Sequence, residues 1–378
     1  MMTNCLNCNE SCLNFKQNRN YGIDTLRVIS AIMIVMLHVF SQGGILSVCD
    51  ELTFSGEFMW FIQIGSLGFV NVFALISGYV GITSKHRISN ILNLWLQVFL
   101  YTLISKVLVL MFFEKTFSLI DFCKTFFPVT NSENWYFSAY FVLFFLIPIL
   151  NYMIENIEVA IIKRCLLACA FLFMIIESIS SVDVFGVRTG YSALWLMIMY
   201  VIGAYLKKYN PLKRLLGWQC LIGVAVCMLL TLFSKILIEF ITLRCFGAPA
   251  YGTKFLIYTS PIMVMQSVFI VQIFSRLNIH PKIQKLVSWF APMTFGVFVI
   301  HTTDVFYRYM LRDAFLFVAD YSLIGMLGVA ILSTLGIWLC CSLIDFIRIY
   351  LFKLFRINKL TNYCGLKIKC AVDKIVNI

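Results

Sequence analysis

Charge is what this chain has least of. Only 13% of its 378 residues are Asp, Glu, Lys or Arg, while 61% are hydrophobic. A water-soluble domain carries about 25% charged residues, so a chain with half that share and so large an apolar fraction belongs mostly in lipid. Histidine is scarcer still. His38, His86, His280 and His301 are the whole supply of imidazole. No polar stretch is long enough to make a separate soluble domain; the longest break between apolar runs, 114–134, is about twenty residues. There is no internal repeat, and no pair of Gly/Pro-interrupted runs stands in corresponding halves as in many transporters. The 14 cysteines are mostly dispersed through apolar runs, which excludes a disulfide framework in an exported loop.

What the chain does have is a series of apolar runs close to the twenty residues that cross a bilayer. Ten are expected, near 22–45, 58–82, 90–112, 135–152, 162–180, 190–206, 215–240, 255–274, 287–309 and 322–348. The fourth, which contains Pro148, and the short sixth are the weakest. The fold class is therefore all-α, a polytopic membrane helix bundle of about ten helices. A tail (1–21) precedes the membrane domain (22–348), and a basic tail (349–378) follows it. The first run has no small-residue cleavage site and reads as a retained helix rather than a signal peptide.

Net charge is +12. In a soluble protein this would suggest nucleic acid; here the distribution matters more, and no nucleic-acid partner is expected. With the N-terminus inside, the tails and inside loops hold 21 of the 30 Lys and Arg, and the outside loops and adjoining helix ends hold seven. That asymmetry predicts a multi-pass protein of the cell membrane with both termini cytoplasmic. Cys5, Cys8 and Cys12 cluster in the N-terminal tail without a fourth ligand nearby, so reduced or acylated thiols are expected there rather than a metal site.

The first membrane helix carries Asp24, Arg27 and His38. Ten residues of α-helix turn through three turns plus about 20°, so Arg27 and His38 share a face about 16 Å apart, with Asp24 one turn before Arg27. Ionisable groups at such depth usually face a protein interior or a wet cavity. By the same topology His38 and His301 lie at similar depth in the outer half, with Asp304 one turn beyond His301 and placed to orient it. Glu177 and the Lys235/Glu239 pair also fall toward the outer ends of their helices. A polar cavity in the outer half is the expectation. The plainer readings are a His301 that only hydrogen-bonds across helices, a Lys106 that snorkels, a Lys235–Glu239 pair extending past the bilayer, and solvated His86 and His280.

These features resemble those of the acyltransferase 3 family of integral membrane O-acyltransferases. Asp24-Thr25-Leu26-Arg27 followed by His38 is similar to that family's first-helix signature. Phe73-Ala-Leu-Ile-Ser77-Gly78-Tyr79 resembles its second-helix stretch, which more often has two aromatics at the start. Asn134-Trp135-Tyr136 followed by Pro148 resembles its fourth-helix stretch, and Phe295–His301 resembles its late stretch ending in His. The basic loop Lys85-His86-Arg87 is shorter in arginine than is usual there.

The resemblance implies an acyltransferase of the class that moves groups other than amino-acyl groups. It would transfer an acyl group, usually acetyl, from cytoplasmic acyl-CoA to a hydroxyl of a cell-envelope or exported carbohydrate, lipid-linked in some cases. In that scheme His38 and Arg27 are the catalytic residues, His38 as general base and Arg27 as the cation on the donor. Ser77, Gly78, Lys85 and Arg87 join Arg27 around the donor. The two small residues let the first two helices approach and leave a passage for the acyl arm; the alternative is ordinary packing. Asp24, Trp135, Tyr136 and His301 are expected against the acceptor, with Trp135 and Tyr136 otherwise interfacial anchors. No metal is expected, and the oligomeric state is left open. The competing reading is a transporter of a sugar or amino acid built on the same bundle.

Overall fold

A computed structural model describes residues 19–114, 116–130 and 134–376; the expected thiol cluster at Cys5, Cys8 and Cys12 lies outside them. The described chain is helical throughout, with no strand. The helices are α1 Tyr21–Ser41, α2 Phe54–Gly81, α3 Ile88–Phe112, the short α4 Leu119–Lys124, α5 Trp135–Asn156, α6 Val159–Ala170, α7 Glu177–Ile179, α8 Ala193–Tyr209, α9 Gly217–Phe246, α10 Pro261–Ser275, α11 Pro281–Phe290, α12 Thr294–His301, α13 Leu323–Leu354 and α14 Ile357–Val376. A π-helical turn, Phe171–Ile176, joins α6 to α7, and a 3-10 turn, Ala291–Met293, joins α11 to α12.

Local chemistry marks the starts. The side chains of Asn20, Thr53, Asn134, Ser192 and Ser322 each accept from a backbone N–H in the first turn of α1, α2, α5, α8 and α13. Pro261 and Pro281 open α10 and α11, where their missing N–H has no partner to lose. Eight of the ten expected spans fall on helical stretches of at least 18 residues that are apolar enough to cross a membrane. The other two fall on α8, 17 residues long, and α10, 15 residues long. The ninth span is not continuous: it is built from α11, the 3-10 turn at Pro292 and α12, and it ends at His301.

α2 is the central helix, packed against α1, α8, α9 and α10, while α1 also contacts α12 and α13. α9 and α13 present exposed apolar side chains such as Leu229, Phe233, Leu332 and Leu343, the surface that lipid requires. Gly78 behaves differently from expectation. A Cβ there would run into the backbone of Tyr200 on α8, and one on Gly203 of α8 would run into Leu75 of α2. The small residues therefore bring α2 onto α8, not onto α1.

Long-range contacts gather one set of loops at the Arg27 end of the bundle. Asn20 donates to Ser275 O at 2.9 Å, Arg276 donates to Leu212 O at 2.7 Å, Lys208 donates to Ile154 O at 2.7 Å, and Asn151 donates to Gly81 O at 3.2 Å. These are the basic loops expected on one side of the membrane. The C-terminal segment is not a loose tail. α13 continues to Leu354, and α14 docks on α3, where the Thr361 hydroxyl donates to Asn93 Oδ1 at 3.0 Å.

α5 passes through Pro148 without a break. Proline has no N–H, so the carbonyl four residues earlier, Phe144 O, loses its helical donor. His86 supplies the replacement: its Nε2 donates to Phe144 O at 2.9 Å, and its ring stacks on Phe144 at 4.1 Å. His86 is thus not simply solvated; it ties the Lys85–Arg87 loop to α5. An unsatisfied carbonyl costs about 1–3 kcal/mol. His86→Ala is expected to destabilise by roughly that amount in thermal melts of the detergent-solubilised protein. In a Pro148→Ala background, where the N–H returns, the His86→Ala effect should shrink to a few tenths of a kcal/mol, a coupling that a double-mutant cycle measures.

Candidate active site

α1 and α12 bring the two membrane histidines together. His38 Nδ1 lies 2.9 Å from His301 Nε2, and His301 Nδ1 lies 2.6 Å from Val297 O. A carbonyl only accepts, so His301 Nδ1 carries a proton. In the neutral ring Nε2 is then an acceptor, and His38 must donate to it through Nδ1. The remaining nitrogen, His38 Nε2, is left with its lone pair. The two imidazoles form a relay aligned by one backbone carbonyl. Asp304, expected to orient His301, instead pairs with Arg308 at 3.2 Å on an exposed surface. His301 is 1% exposed and sits behind His38, so it meets a ligand only through that ring.

His38 lines a cavity of about 270 Å³. Its walls include Trp135 and Tyr136 from α5, Tyr258, Phe298 and Tyr307. Trp135 and Tyr191 rings lie 4.6 Å apart, and the Tyr307 ring meets His38 edge-on at 5.3 Å. Apolar faces with a few hydroxyl rims are the usual lining of a small-molecule site. Trp135 and Tyr136 are therefore in a position to touch an acceptor. A second, polar cleft of about 370 Å³ adjoins it through shared Asn134 and Thr302, which hydrogen-bond each other at 2.9 Å. Lys106 belongs to this cleft and pairs with Glu114 at 3.0 Å.

Arg27 occupies the other end of α1. Asp24, only 5% exposed, accepts from Arg27 at 2.7 Å and from Arg19 at 2.5 Å. Its carboxylate bridges two guanidinium groups, which makes it a holder of Arg27. Arg27 itself keeps about a third of its side chain exposed. Tyr136, which lines the cavity, stands one turn before Tyr140 on α5. Lys85 and Arg87 are exposed in the loop after α2 at the Arg27 end, outside the cavity.

Two acidic groups expected in the same cavity lie elsewhere. Glu177 is buried beside Asp183 and Lys254. Lys235 and Glu239 do not extend past the bundle. Lys235 is fully buried between Glu239 and Glu57 of α2, each at 2.7 Å. Neither α2 nor α9 gives a local sign of that third partner, which is 178 residues away.

A network that sequence reasoning missed supports α12. Asp345 of α13 is fully buried and accepts from Gln97 at 2.9 Å, Tyr101 at 2.7 Å and Arg348 at 2.8 Å. Gly296 lies directly against its carboxylate, with no room for a Cβ. The signal was present in Asp345 and Arg348 one turn apart in an apolar run. Removing one partner from a buried ion pair costs about 3–5 kcal/mol. Asp345→Ala is expected to lower stability by that amount in thermal melts, while the exposed Asp304→Ala stays within about 0.5 kcal/mol.

No curated protein and no solved structure is similar enough to this chain to match. The family model described as an acyltransferase domain, acyltransferase 3, does match, over residues 20–345. That match includes both histidines, Arg27 and Asp345. The chain is a multi-pass membrane acyltransferase and belongs to the acyltransferase 3 family.

Proposed function

We propose that the protein transfers an acyl group, acetyl in the first instance, from acyl-CoA to a hydroxyl of a cell-envelope or exported carbohydrate. The observation that carries this reading is the His301–His38 relay, which leaves an imidazole lone pair on an aromatic-walled cavity. A sugar hydroxyl is a poor nucleophile at neutral pH and needs a base within hydrogen-bond reach. His38 Nε2 takes the hydroxyl proton as the oxygen attacks the thioester carbonyl carbon. The carbon–sulfur bond then breaks, and the departing thiolate of coenzyme A recovers the proton from the His38 imidazolium. His301 is a positioning residue: it holds His38 in the tautomer with Nε2 unprotonated.

The donor enters from the Arg27 end. Arg27 holds donor phosphate, since a guanidinium with a free face binds phosphate in a forked geometry. Lys85 and Arg87 add charge at the same end. The pantetheine arm then follows the Ser77–Tyr140–Tyr136 hydroxyls over the roughly 16 Å to His38. Gly78 serves this passage indirectly, through the close approach of α2 and α8. The Arg27 end faces the cytoplasm in this reading, because the basic loops gather there. The acceptor is held by Trp135 and Tyr136 in the cavity at the other end.

In a strain lacking the gene, His38→Ala is expected to restore envelope glycan acylation at a level lower than wild type by a factor of roughly 10²–10⁴ in rate. With purified protein the acid limb of the kcat/KM profile should disappear in this variant. His301→Ala should lower kcat by roughly tenfold to a hundredfold and leave KM for the donor unchanged. Full restoration by His38→Ala would remove the base assignment. A change in solute uptake with no change in acylation would favour transport instead. For orientation, a reporter fused at Asn210 should read cytoplasmic and one at Ser181 external; the reverse pattern would invert the donor and acceptor sides.

A further inference from the structure

The polar cleft beside the His38 cavity shares a wall with a further space. Ser105 and Thr303 line both the cleft and an apolar slot of about 590 Å³ flanked by α3 and α13. The slot extends along α13 from Ser333 to Ile344, about 16 Å of helix and roughly half of a 30 Å hydrocarbon core. No charged residue lines it. Its outer side is open, with Ile104, Gly336 and Cys340 exposed on the lipid-facing surface. The shared wall forms where α12 ends: the helix stops at Thr302, and Val305 N donates to Ser105 Oγ at 3.0 Å.

Three spaces thus lie side by side, each sharing wall residues with the next. The catalytic cavity is aromatic and holds His38. The cleft carries the pairs Lys106–Glu114, Lys124–Asp121 and Arg308–Asp304. The slot is hydrocarbon-lined and opens sideways. A soluble sugar would use the first two and leave the third to lipid. A hydrocarbon chain alone would have no reason to enter the charged cleft. A molecule that matches all three has a polar glycosyl head and one long apolar chain.

We propose that the acceptor is a membrane-anchored glycoside that enters laterally between α3 and α13, its chain in the slot and its sugar carried through the cleft to His38. This rests on the carbohydrate reading above and narrows it to acceptors that never leave the bilayer.

The test uses the full-length protein in phosphatidylcholine vesicles and a dodecyl glucoside bearing a diazirine near the chain end. Photolysis is expected to label the slot side chains Ile104, Leu108, Ile337 and Ile344, and excess dodecyl glucoside should suppress that labelling. Gly336 faces open space and tolerates a side chain. Gly336→Trp should therefore leave the melting temperature unchanged and reduce slot labelling at least tenfold; Ser333→Phe is a second obstruction from the same wall. His38→Ala should label like wild type. Equal labelling of slot and of the lipid-facing α9 residues Leu229 and Phe233, or undiminished labelling in both obstructed variants, would overturn the proposal.

Acyl transfer in the same vesicles separates the two readings. Transfer to dodecyl glucoside at least tenfold faster than to methyl glucoside, and lost in Gly336→Trp, supports both. Equal transfer to the two glucosides keeps the carbohydrate reading and removes the slot. Competed slot labelling with no transfer to either keeps the slot as a glycolipid site and counts against the carbohydrate acyltransferase reading.

Discussion

The chemistry of this bundle depends on one backbone carbonyl. Val297 O can only accept, so it fixes the proton on His301 Nδ1 and hence the direction of the next hydrogen bond. Everything downstream follows from that direction: His301 accepts, His38 donates, and the His38 nitrogen that is left has a lone pair. No carboxylate is needed to set the tautomer. An anion behind the pair would stabilise an imidazolium in the ground state. A neutral carbonyl orients the ring without holding the proton there, which suits the base role proposed for His38.

That carbonyl is only as well placed as α12, a helix of eight residues. So short a helix has little stability of its own and takes its position from packing. Here Val297, Val299 and Ile300 pack into the apolar core, and a polar contact is added at Gly296. Gly296 is pressed against the Asp345 carboxylate, which is itself held by α3 through Gln97 and Tyr101 and by Arg348 on its own helix. A buried carboxylate with four donors is rigid, because each lost bond leaves a charge unsolvated. An apolar contact at the same place would let the turn slide. Glycine is required because the carboxylate occupies the space of a Cβ.

Much of this was legible in the sequence, and the reasons for the rest are specific. The bundle and the Arg27–His38 register follow from local patterns, the length of apolar runs and helical spacing, while Trp135 and Tyr136 at the cavity came from the family resemblance. The fate of Gly78 was not local, since which neighbour a small residue admits depends on the tertiary arrangement, and α8 lies far along the chain. Asp304 at three residues from His301 satisfied a helical rule, but the helix ends between them. His86 was read as solvated because its partner is a backbone carbonyl that Pro148 had freed 62 residues later. Lys235 was paired correctly with Glu239, while Glu57 came from another helix. In each case the missing term was a contact distant in sequence, and the buried polar groups were where such contacts mattered most.

The distribution of polar groups separates two tasks within one bundle. At the Arg27 end the cations are exposed in part or in full: Arg27 retains an open face, and Lys85 and Arg87 stand in a loop that His86 ties to α5. At the His38 end the polar groups are locked: His301 is buried, Asp345 is fully bonded, and Lys235 lies between two carboxylates. Binding an entering anionic donor calls for cations that solvent can reach, because the donor arrives hydrated and must exchange water for guanidinium. Proton transfer calls for the opposite, since a base loose by an ångström loses its advantage. The single helix α1 spans both regimes, accessible at Arg27 and tightly packed around His38. A stiff helix of that length is the simplest element that would keep the proposed donor-binding cation and the proposed base at a fixed separation while the surroundings of each are tuned independently.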